Sequence, residues 1–312
     1  RTIRLTAAIV CFALITLLFL DFTGTLHTWF GWLAKIQFLP AVLALNIGVV
    51  LLLIVLTLLF GRIYCSVICP LGVFQDAVSW ISGKRKKNRF RYSPALRWLR
   101  YGVLTVFVIA LVAGWNTFVI LLAPYSAYGR MASSLLAPFW QWGNNLMAYF
   151  AERAESYAFY EVDVWMKSLS TLIIAIITLV VLFILAWRNG RTYCNTICPV
   201  GTILGFISRY SIFKPVIDTS KCNGCGLCAR NCKASCINTK AHEIDYSRCV
   251  ACMDCLGKCK QGAIRYTRRI PKKESATTET VQVKSVTAEQ VNNARRSFLS
   301  ASAVVATTAV LK

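Results

Sequence analysis

Cysteines at short, regular spacing are the residues of this chain whose types could do chemistry. Two runs share the pattern Cys-x2-Cys-x2-Cys-x3-Cys: Cys222, Cys225, Cys228 and Cys232, then Cys249, Cys252, Cys255 and Cys259. Where such runs occur in pairs, thiolates hold two [4Fe–4S] clusters, and the fourth cysteine of each run ligates the other cluster. The spacing therefore predicts two [4Fe–4S] clusters and one-electron transfer as their chemistry.

The crossed pattern divides the eight cysteines into two sets. We call Cys222, Cys225, Cys228 and Cys259 the first cysteine set, and Cys249, Cys252, Cys255 and Cys232 the second cysteine set. Zinc is the alternative metal, but eight interleaved cysteines fit a zinc site poorly. A lysine follows the last cysteine of each run, Lys233 and Lys260, and we expect this charge to raise the cluster potential and to attract an acidic partner. Cys236 is interpreted as a small buried residue or as a substitute ligand.

A second cysteine motif is duplicated. Residues 61–72 and 190–201 share 8 of 12 identities, and each copy contains Cys-x3-Cys-Pro. Cysteines four residues apart lie on one face of a helix, so a twofold arrangement would bring together Cys65, Cys69, Cys194 and Cys198, which we call the membrane quartet. Four thiolates suit iron or another thiophilic metal. An iron–sulfur centre, a mononuclear metal, a thiol/disulfide pair and purely structural cysteines all remain open.

Each copy of the motif also contains an arginine, Arg62 or Arg191. Two roles are consistent with its position. It could neutralise the thiolates of the quartet, or it could anchor the chain at the cytoplasmic face of a membrane.

Apolar segments must position these motifs. The chain has 312 residues, is 56% hydrophobic and has a mean hydropathy of +0.55, which favours a membrane protein. Four uncharged stretches predict transmembrane helices: Leu5–Leu20, Pro40–Phe60, Tyr101–Leu122 and Ser168–Trp187. The first is short, and Arg4 is expected to snorkel at its end. The predicted fold is a mainly α membrane protein, with four spans forming two repeated hairpins about an axis along the membrane normal.

Charge predicts the orientation. The net charge is +22, and eight of the basic residues lie between the second and third spans: Lys84, Arg85, Lys86, Lys87, Arg89, Arg91, Arg97 and Arg100. Positive loops stay in the cytoplasm, so we expect the paired cysteine runs to be cytoplasmic too and the chain to lie in the bacterial inner (cytoplasmic) membrane as a multi-pass protein. The same rule accounts for the charge without a nucleic-acid partner.

Four segments follow from these patterns. Residues 1–213 are expected to form the four-helix membrane domain, and residues 214–269 a small α+β domain with two clusters. Residues 270–293 read as a polar linker, and residues 294–312 as an apolar tail that begins with a twin-arginine-like sequence. Such a tail predicts either an exported domain beyond the chain or a fifth membrane segment.

In this combination of motifs the chain resembles the NapH/NosR-type membrane polyferredoxins. The resemblance covers residues 1–269 and rests on the four spans, the two Cys-x3-Cys-Pro motifs and the paired cysteine runs. It implies electron relay between the quinone pool and a redox protein partner, as the electron-transfer component of a quinol dehydrogenase-type oxidoreductase. The flavin-bearing outer domain of the NosR type is absent from the chain, which is closer to NapH.

Two other functions fit the same motifs. One is a factor that assembles or reduces a metal centre, similar to the membrane ferredoxins of copper-oxidase maturation. The other is a redox sensor or scaffold. No arrangement of nucleophile and base suggests a hydrolase, and no Walker or dinucleotide glycine motif suggests a nucleotide donor.

Overall fold

The structure is a computed structural model that describes residues 1–85, 90–153, 160–164 and 168–268. These residues belong to one compact unit, residues 1–269. The predicted linker, the twin-arginine-like tail and three cations of the basic loop (Lys86, Lys87 and Arg89) lie outside the described residues.

The described part is mainly helical. Its helices are α1 Thr2–Leu20, α2 Thr25–Phe30, α3 Trp32–Lys35, α4 Phe38–Leu43, α5 Ile47–Phe60, α6 Tyr64–Val67, α7 Pro70–Arg85, α8 Arg97–Val112, α9 Asn116–Leu122, α10 Pro124–Met131, α11 Ala137–Arg153, α12 Leu169–Asn189, α13 Thr192–Thr196, α14 Pro199–Ser208 and α15 Leu227–Arg230. A π-helical turn, Ala132–Leu136, joins α10 to α11. The strands are β1 Phe213–Ile217, β2 Ile237–Asn238, β3 Glu243–Ile244 and β4 Ile264–Arg268.

Two described helices, α1 and α12, are long and apolar enough to cross a membrane. The segments expected to form the second and third spans are each interrupted. Leu45, between α4 and α5, has a φ of 52°, and Gly114, between α8 and α9, has a φ of 74°. A residue in the left-handed region ends a helix by turning its carbonyls back onto the following amides. The prediction of one continuous helix in each of these two segments is therefore wrong.

The duplicated motifs lie in two similar groups of helices. In the first, α1 packs against α6 and α7; in the second, α8 packs against α13 and α14. The groups also exchange contacts, because α7 packs on α12 while α14 packs on α5. This reciprocity is what a pseudo-twofold relation between the two copies requires, although the helices that supply it differ in length from those predicted.

The paired cysteine runs form a small unit on two antiparallel strand pairs. β1 pairs with β4 in the register Phe213–Arg268 to Ile217–Ile264, and β2 pairs with β3. This unit is joined to α5 by two hydrogen bonds: the amide of Ile212 donates to the Leu58 carbonyl at 2.8 Å, and the Tyr266 hydroxyl donates to the Phe60 carbonyl at 2.9 Å. The ferredoxin-like unit is thus packed against the helical part.

Candidate functional site

The two copies of Cys-x3-Cys-Pro form the same backbone structure. In each copy the amide of the second cysteine bonds the tyrosine carbonyl five residues earlier, at 3.0 Å for Cys69 to Tyr64 and 2.9 Å for Cys198 to Tyr193. The next residue is the proline that begins α7 or α14, where a missing amide hydrogen does no harm. The Cys198 thiol also accepts a hydrogen bond from the Gly201 amide at 3.3 Å. Each second cysteine therefore lies at a helix N-terminus, which favours a thiolate.

The structure brings the membrane quartet together. All four cysteines are buried within the same core cluster. Burial raises the pKa of Cys69 and Cys198, and neighbouring thiols raise both further. The pKa of Cys194 is raised to about 11 by burial, against the lowering effect of Arg191, while Cys65 raises it. The four sulfur atoms thus lie within electrostatic range of one another.

Each motif arginine reaches across to the other copy. Arg62 donates through Nη2 to the Cys194 carbonyl at 3.0 Å and through Nη1 to Asn195 Oδ1 at 2.8 Å. Arg191 donates through Nη1 to the Cys65 carbonyl at 2.6 Å. Both arginines are 0% exposed. The interpretation as membrane-surface anchors is therefore wrong, because an anchor keeps its guanidinium in water.

A carboxylate that the sequence analysis did not identify, and whose side chain is 13% exposed, balances this charge. Asp76 binds Arg191 at 2.9 and 2.7 Å, lies 3.5 Å from Arg4 and lies 3.7 Å from Lys233. Burial alone would raise the pKa of Asp76, but Arg191, Lys233 and Arg4 hold it well below its usual range. Asp76 is the only acidic residue between residues 22 and 151, and a lone acid next to a duplicated motif is a signal that could have found it.

The environment of Asp76 corrects two expectations. Arg4 is buried and donates to the Ser66 carbonyl at 3.3 Å, so it does not snorkel. Lys233 is shared between Asp76 and Asp254, 3.2 Å away, and so is not free to attract an acidic partner.

Each cysteine set lines its own cavity. One cavity, with about 400 Å³ of atom-free space that includes its opening to solvent, is lined by Cys222, Cys225, Cys228 and Cys259. The other, with about 430 Å³, is lined by Cys232, Cys249, Cys252 and Cys255. The structure thus brings together the cysteines that the crossed pattern pairs. A thiol-lined space of this kind fits an iron–sulfur group, whose ligands are thiolates.

The two runs also share their turns. Gly224 and Gly226 in the first run have φ values of 70° and 73°, and Ala251 and Met253 at the equivalent places in the second run have φ values of 49° and 59°. Glycine adopts this region without strain, whereas alanine and methionine do so at a cost of about 1–2 kcal/mol each. The second run therefore adopts the same left-handed turns although Ala251 and Met253 disfavour them. This indicates that the turns are needed to position the cysteines.

Cys236 lies among the second cysteine set. Its sulfur is 3.5 Å from the Cys232 sulfur, and it lines the same cavity. The hydrogen bond from Cys236 lowers the pKa of Cys232 to about 7. Hydrogen bonding to Cys232 and Cys249 raises the pKa of Cys236 well above its usual value. Cys236 is thus a small buried residue, as expected, and its thiol contacts two members of the set, Cys232 and Cys249.

Three hydrogen bonds, which we call the clamp, join the segments around the second cysteine set to the helical part. The Ser247 carbonyl accepts from Arg62 at 3.2 Å and from Arg100 at 3.3 Å. The Lys233 carbonyl accepts from the Arg191 amide at 3.0 Å. Lys233 follows Cys232 and Ser247 precedes Cys249 by two residues, so the clamp holds both runs at this set. The sequence analysis singled out the arginines and Lys233 but not these contacts, and it did not identify Ser247.

A glycine of α14 makes room for this clamp. Gly205 stands in the second copy where Asp76 stands in the first, each four residues beyond the last glycine of its motif. A Cβ atom at Gly205 would lie 2.5 Å from the Ser247 carbonyl oxygen and 2.7 Å from Arg100 Nη2. In the second copy, therefore, the Ser247 carbonyl accepts hydrogen bonds from Arg62 and Arg100. In the first copy, the Asp76 carboxylate binds Arg191 and Arg4 instead.

No three Cys, His, Asp or Glu side chains of the described residues lie close enough together to hold one metal ion. This holds for the two cysteine sets as well as for the quartet.

Two family models match the chain, and each is described as a 4Fe-4S binding domain. One matches residues 42–88 and 170–218, which contain the two Cys-x3-Cys-Pro motifs. The other matches residues 215–238, which contain the first cysteine run. Together with the named relatives below, these matches identify the chain as a [4Fe–4S] protein.

Several characterised or named proteins are similar to the chain. The "Ferredoxin-type protein NapH" of Haemophilus influenzae is 26% identical over 195 residues, 62% of this chain and 55% of that protein. The "Putative electron transport protein YccM" of Escherichia coli is 26% identical over 201 residues, 62% of this chain and 47% of that protein. The "Methylamine utilization ferredoxin-type protein MauN" of Paracoccus denitrificans is 22% identical over 189 residues, 60% and 53%.

The matched part of the chain spans about half the length of these relatives. No solved structure matches the chain.

Proposed function

Since the chain is a ferredoxin-type protein similar to NapH, we propose that it carries single electrons between a redox protein and a membrane acceptor, through both cysteine sets and the membrane quartet. Iron–sulfur electron transfer is the function that its similarity supports. The path, the membrane acceptor and the role of the quartet are our proposals.

The observation that carries the proposal is the crossed lining of the two cavities. Each is bordered by three cysteines from one run and the last cysteine from the other. We assign the first and second cysteine sets as the ligands of two [4Fe–4S] clusters, which when bound supply reversible one-electron storage. The residues' part is to supply thiolates, exclude water from the second set and fix the distance between the sets.

The quartet is proposed as a third redox centre. Four buried thiols lie together, the 4Fe-4S binding-domain match covers both motifs, and two guanidinium groups lie beside them. Arg62 Nη2 lies 3.9 Å from the Cys65 sulfur. Because a buried thiolate is costly unless compensated, these arginines would stabilise the ionised cysteines that an iron–sulfur group needs.

We place the chain in the cytoplasmic membrane, with the ferredoxin-like unit on the cytoplasmic side. The two long apolar helices and the basic loop support this placement. A quinone is then the natural membrane acceptor or donor, because it dissolves in the apolar phase that surrounds the helices. Which way the electrons run is set by the partners' potentials.

Metal reduction at the quartet is the second candidate, because four buried thiols that lie together also suit a thiophilic metal ion. A sensor or scaffold would bind the same clusters without sustained turnover.

Iron counting tests the proposal directly. The protein would be purified anaerobically, and iron and acid-labile sulfide would be measured per chain, with EPR of the reduced sample. About eight irons with two interacting signals are expected from the two cysteine sets. Further iron, with a signal that disappears in Cys65→Ser, is expected if the quartet is a third centre. Fewer than eight irons in intact protein would contradict the assignment of the two sets.

A further inference from the structure

The two cysteine sets differ in their access to solvent. In the second set Cys232, Cys252 and Cys255 are 6, 9 and 9% exposed, and Cys249 is half-buried. In the first set Cys225 is exposed, and the other three are half-buried. An electron carrier that collides from solution therefore meets the first set.

The clamp explains why the second set is closed. The contacts of Ser247 with Arg62 and Arg100, and of Lys233 with Arg191, lie within two residues of two members of that set. The helical part thus packs against the segments that flank two of its cysteines. Of the two sets, this leaves the first one to face a soluble partner.

Cations surround the exposed set. Lys221 precedes Cys222, Lys258 and Lys260 flank Cys259, and all three lysines are exposed. Arg230 completes the group, and its Nη2 donates to the Cys225 carbonyl at 2.6 Å. We call these four residues the cationic rim. None of the ion pairs formed within the described residues uses a lysine of the rim.

The contrast with the second set is informative. Lys233 follows Cys232 just as Lys260 follows Cys259. Two carboxylates, Asp76 and Asp254, neutralise Lys233, whereas Lys260 stays exposed beside its cavity. The lysine at the second cysteine set is thus neutralised within the molecule, whereas the lysine at the first cysteine set is exposed toward a partner.

We propose that the cationic rim is the docking surface for an acidic, soluble one-electron carrier protein, which exchanges electrons with the chain through the first cysteine set. This inference rests on the proposed function, because it requires a cluster at that set. Complementary charge raises the rate of encounter and orients the partner. In each exchange the cluster at this set loses or gains one electron, and the carrier's own cofactor gains or loses the same electron.

An anionic lipid surface could in principle use the same cations. The rim surrounds a cysteine cavity, however, and lipid would gain nothing from contact with a redox group. The partner we favour is therefore a protein, and the lipid alternative becomes an outcome of the test.

The experiment measures electron transfer against salt. The full chain in uncharged detergent would be reduced with dithionite and mixed with oxidised flavodoxin, an acidic carrier, in a stopped-flow instrument. The second-order rate constant is expected to fall about tenfold or more between low salt and 0.5 M salt. Basic cytochrome c, as the opposite probe, should show the reverse dependence.

A charge-reversal variant locates the surface. Lys221→Glu/Lys258→Glu/Lys260→Glu should slow transfer to flavodoxin at least tenfold at low salt and abolish the fall with salt. The matched control, Lys35→Glu/Arg97→Glu/Arg188→Glu, makes the same charge change at exposed residues of α3, α8 and α12 and should stay within about twofold of the unaltered chain.

Three results separate the possibilities. Equal rates in the rim variant and the control would overturn the docking surface. Unchanged transfer together with lost binding to anionic phosphatidylglycerol vesicles would assign the rim to lipid and also overturn it. EPR and iron content are measured in every variant, so a chain that never acquires a reducible cluster would contradict the proposed function itself and not this surface.

Discussion

Cys236 shows how a single side chain can tune a redox group. Its sulfur lies 3.5 Å from that of Cys232, and the equivalent position in the other run, four residues beyond Cys259, is Ala263. Hydrogen bonds to cluster sulfurs raise the reduction potential, because they stabilise the more negative reduced state. In the first set the Ala263 amide donates to the Cys259 sulfur at 3.3 Å, but the Ala263 side chain carries no donor, so the extra thiol donor belongs to the second set.

Removing this thiol should lower one potential only. Cys236→Ala is expected to shift the potential of the cluster at the second set by about 20–60 mV to lower values, since a hydrogen bond is worth about 0.5–1.5 kcal/mol and a tenfold effect is about 59 mV for one electron. EPR-monitored redox titration checks this. The control, Ala263→Ser, changes the equivalent position near the other set. An unshifted potential in Cys236→Ala would show that the sulfur contact has no electronic effect.

Asp76 makes stability depend on pH. Its folded-state pKa lies below its ordinary value of 3.8 because Arg191, Lys233 and Arg4 outweigh the effect of burial. The ion pairs therefore contribute fully above about pH 4, and their contribution is lost as the pH falls through the folded-state pKa. No described group facing Asp76 other than these three cations is needed to explain this direction.

Asp76→Asn should remove this contribution at neutral pH. Breaking a buried pair costs about 3–5 kcal/mol in the free energy of unfolding, because Arg191 keeps its charge without a carboxylate. The apparent melting temperature in detergent, followed from pH 3 to 7, should be lower for the variant at pH 7, and the difference from the unaltered chain should narrow toward pH 3. A constant difference across this range would mean that the carboxylate's ionisation is not involved.

At the scale of elements, α14 determines where the ferredoxin-like unit sits. Gly205 lets the Ser247 carbonyl approach Arg62 and Arg100, and the equivalent place on α7 carries Asp76 instead. The two copies of the helical repeat thus offer different surfaces to the rest of the chain. Only the second copy leaves room for a backbone carbonyl at this place.

A methyl group on α14 should loosen the clamp. Gly205→Ala would place Cβ 2.5 Å from the Ser247 carbonyl oxygen, too close for any contact. Hydrogen exchange of residues 245–250 is expected to rise, while iron content stays unchanged. Gly102→Ala on α8 is the control, because a Cβ there meets nothing within 4 Å. Equal exchange in both variants would show that the unit does not depend on this close approach.

Sequence patterns predicted some elements and missed others for identifiable reasons. Hydropathy found α1 and α12, since an uninterrupted apolar run reports only length and burial. Hydropathy could not predict the left-handed conformation of Leu45, because a leucine does not indicate a left-handed residue as a glycine or an asparagine does. Gly114, within the predicted third span, and Asn46, which caps α5, were signals that could have been read as breaks.

The candidate site was predictable where chemistry constrains spacing. The crossed cysteine pattern named the eight residues that line the two cavities, because cluster ligation requires that spacing. Asp76, Gly205 and Ser247 could not be found in this way. Their roles arise from contacts between segments far apart in the chain, which no local pattern records.

At the scale of the whole molecule, electron relay should depend on the quartet, whereas cluster binding by the two cysteine sets should not. Cys65→Ser/Cys198→Ser is expected to abolish electron transfer between the ferredoxin-like unit and a quinol analogue such as menadiol in proteoliposomes, because it removes one thiol from each copy of the motif. The EPR signals of the two cysteine sets should remain.

Cys11→Ser is the matched control for this double variant. Cys11 is half-buried in α1 and belongs to no motif, so relay should be retained. Undiminished relay in Cys65→Ser/Cys198→Ser would exclude the quartet from the path.

The crossing of the two motif arginines has a consequence for synthesis. The Cys65 carbonyl accepts a hydrogen bond from Arg191, which lies 126 residues later in the chain. At about 5–20 residues per second of translation, Cys65 is synthesised roughly 6–25 s before the Arg191 guanidinium that binds its carbonyl. During that interval Cys65 and Cys69 lack the second copy of the motif, so a chain stalled before residue 191 is expected to be vulnerable to oxidation. Under the proposal that the quartet is a third redox centre, its loading follows translation of the second copy.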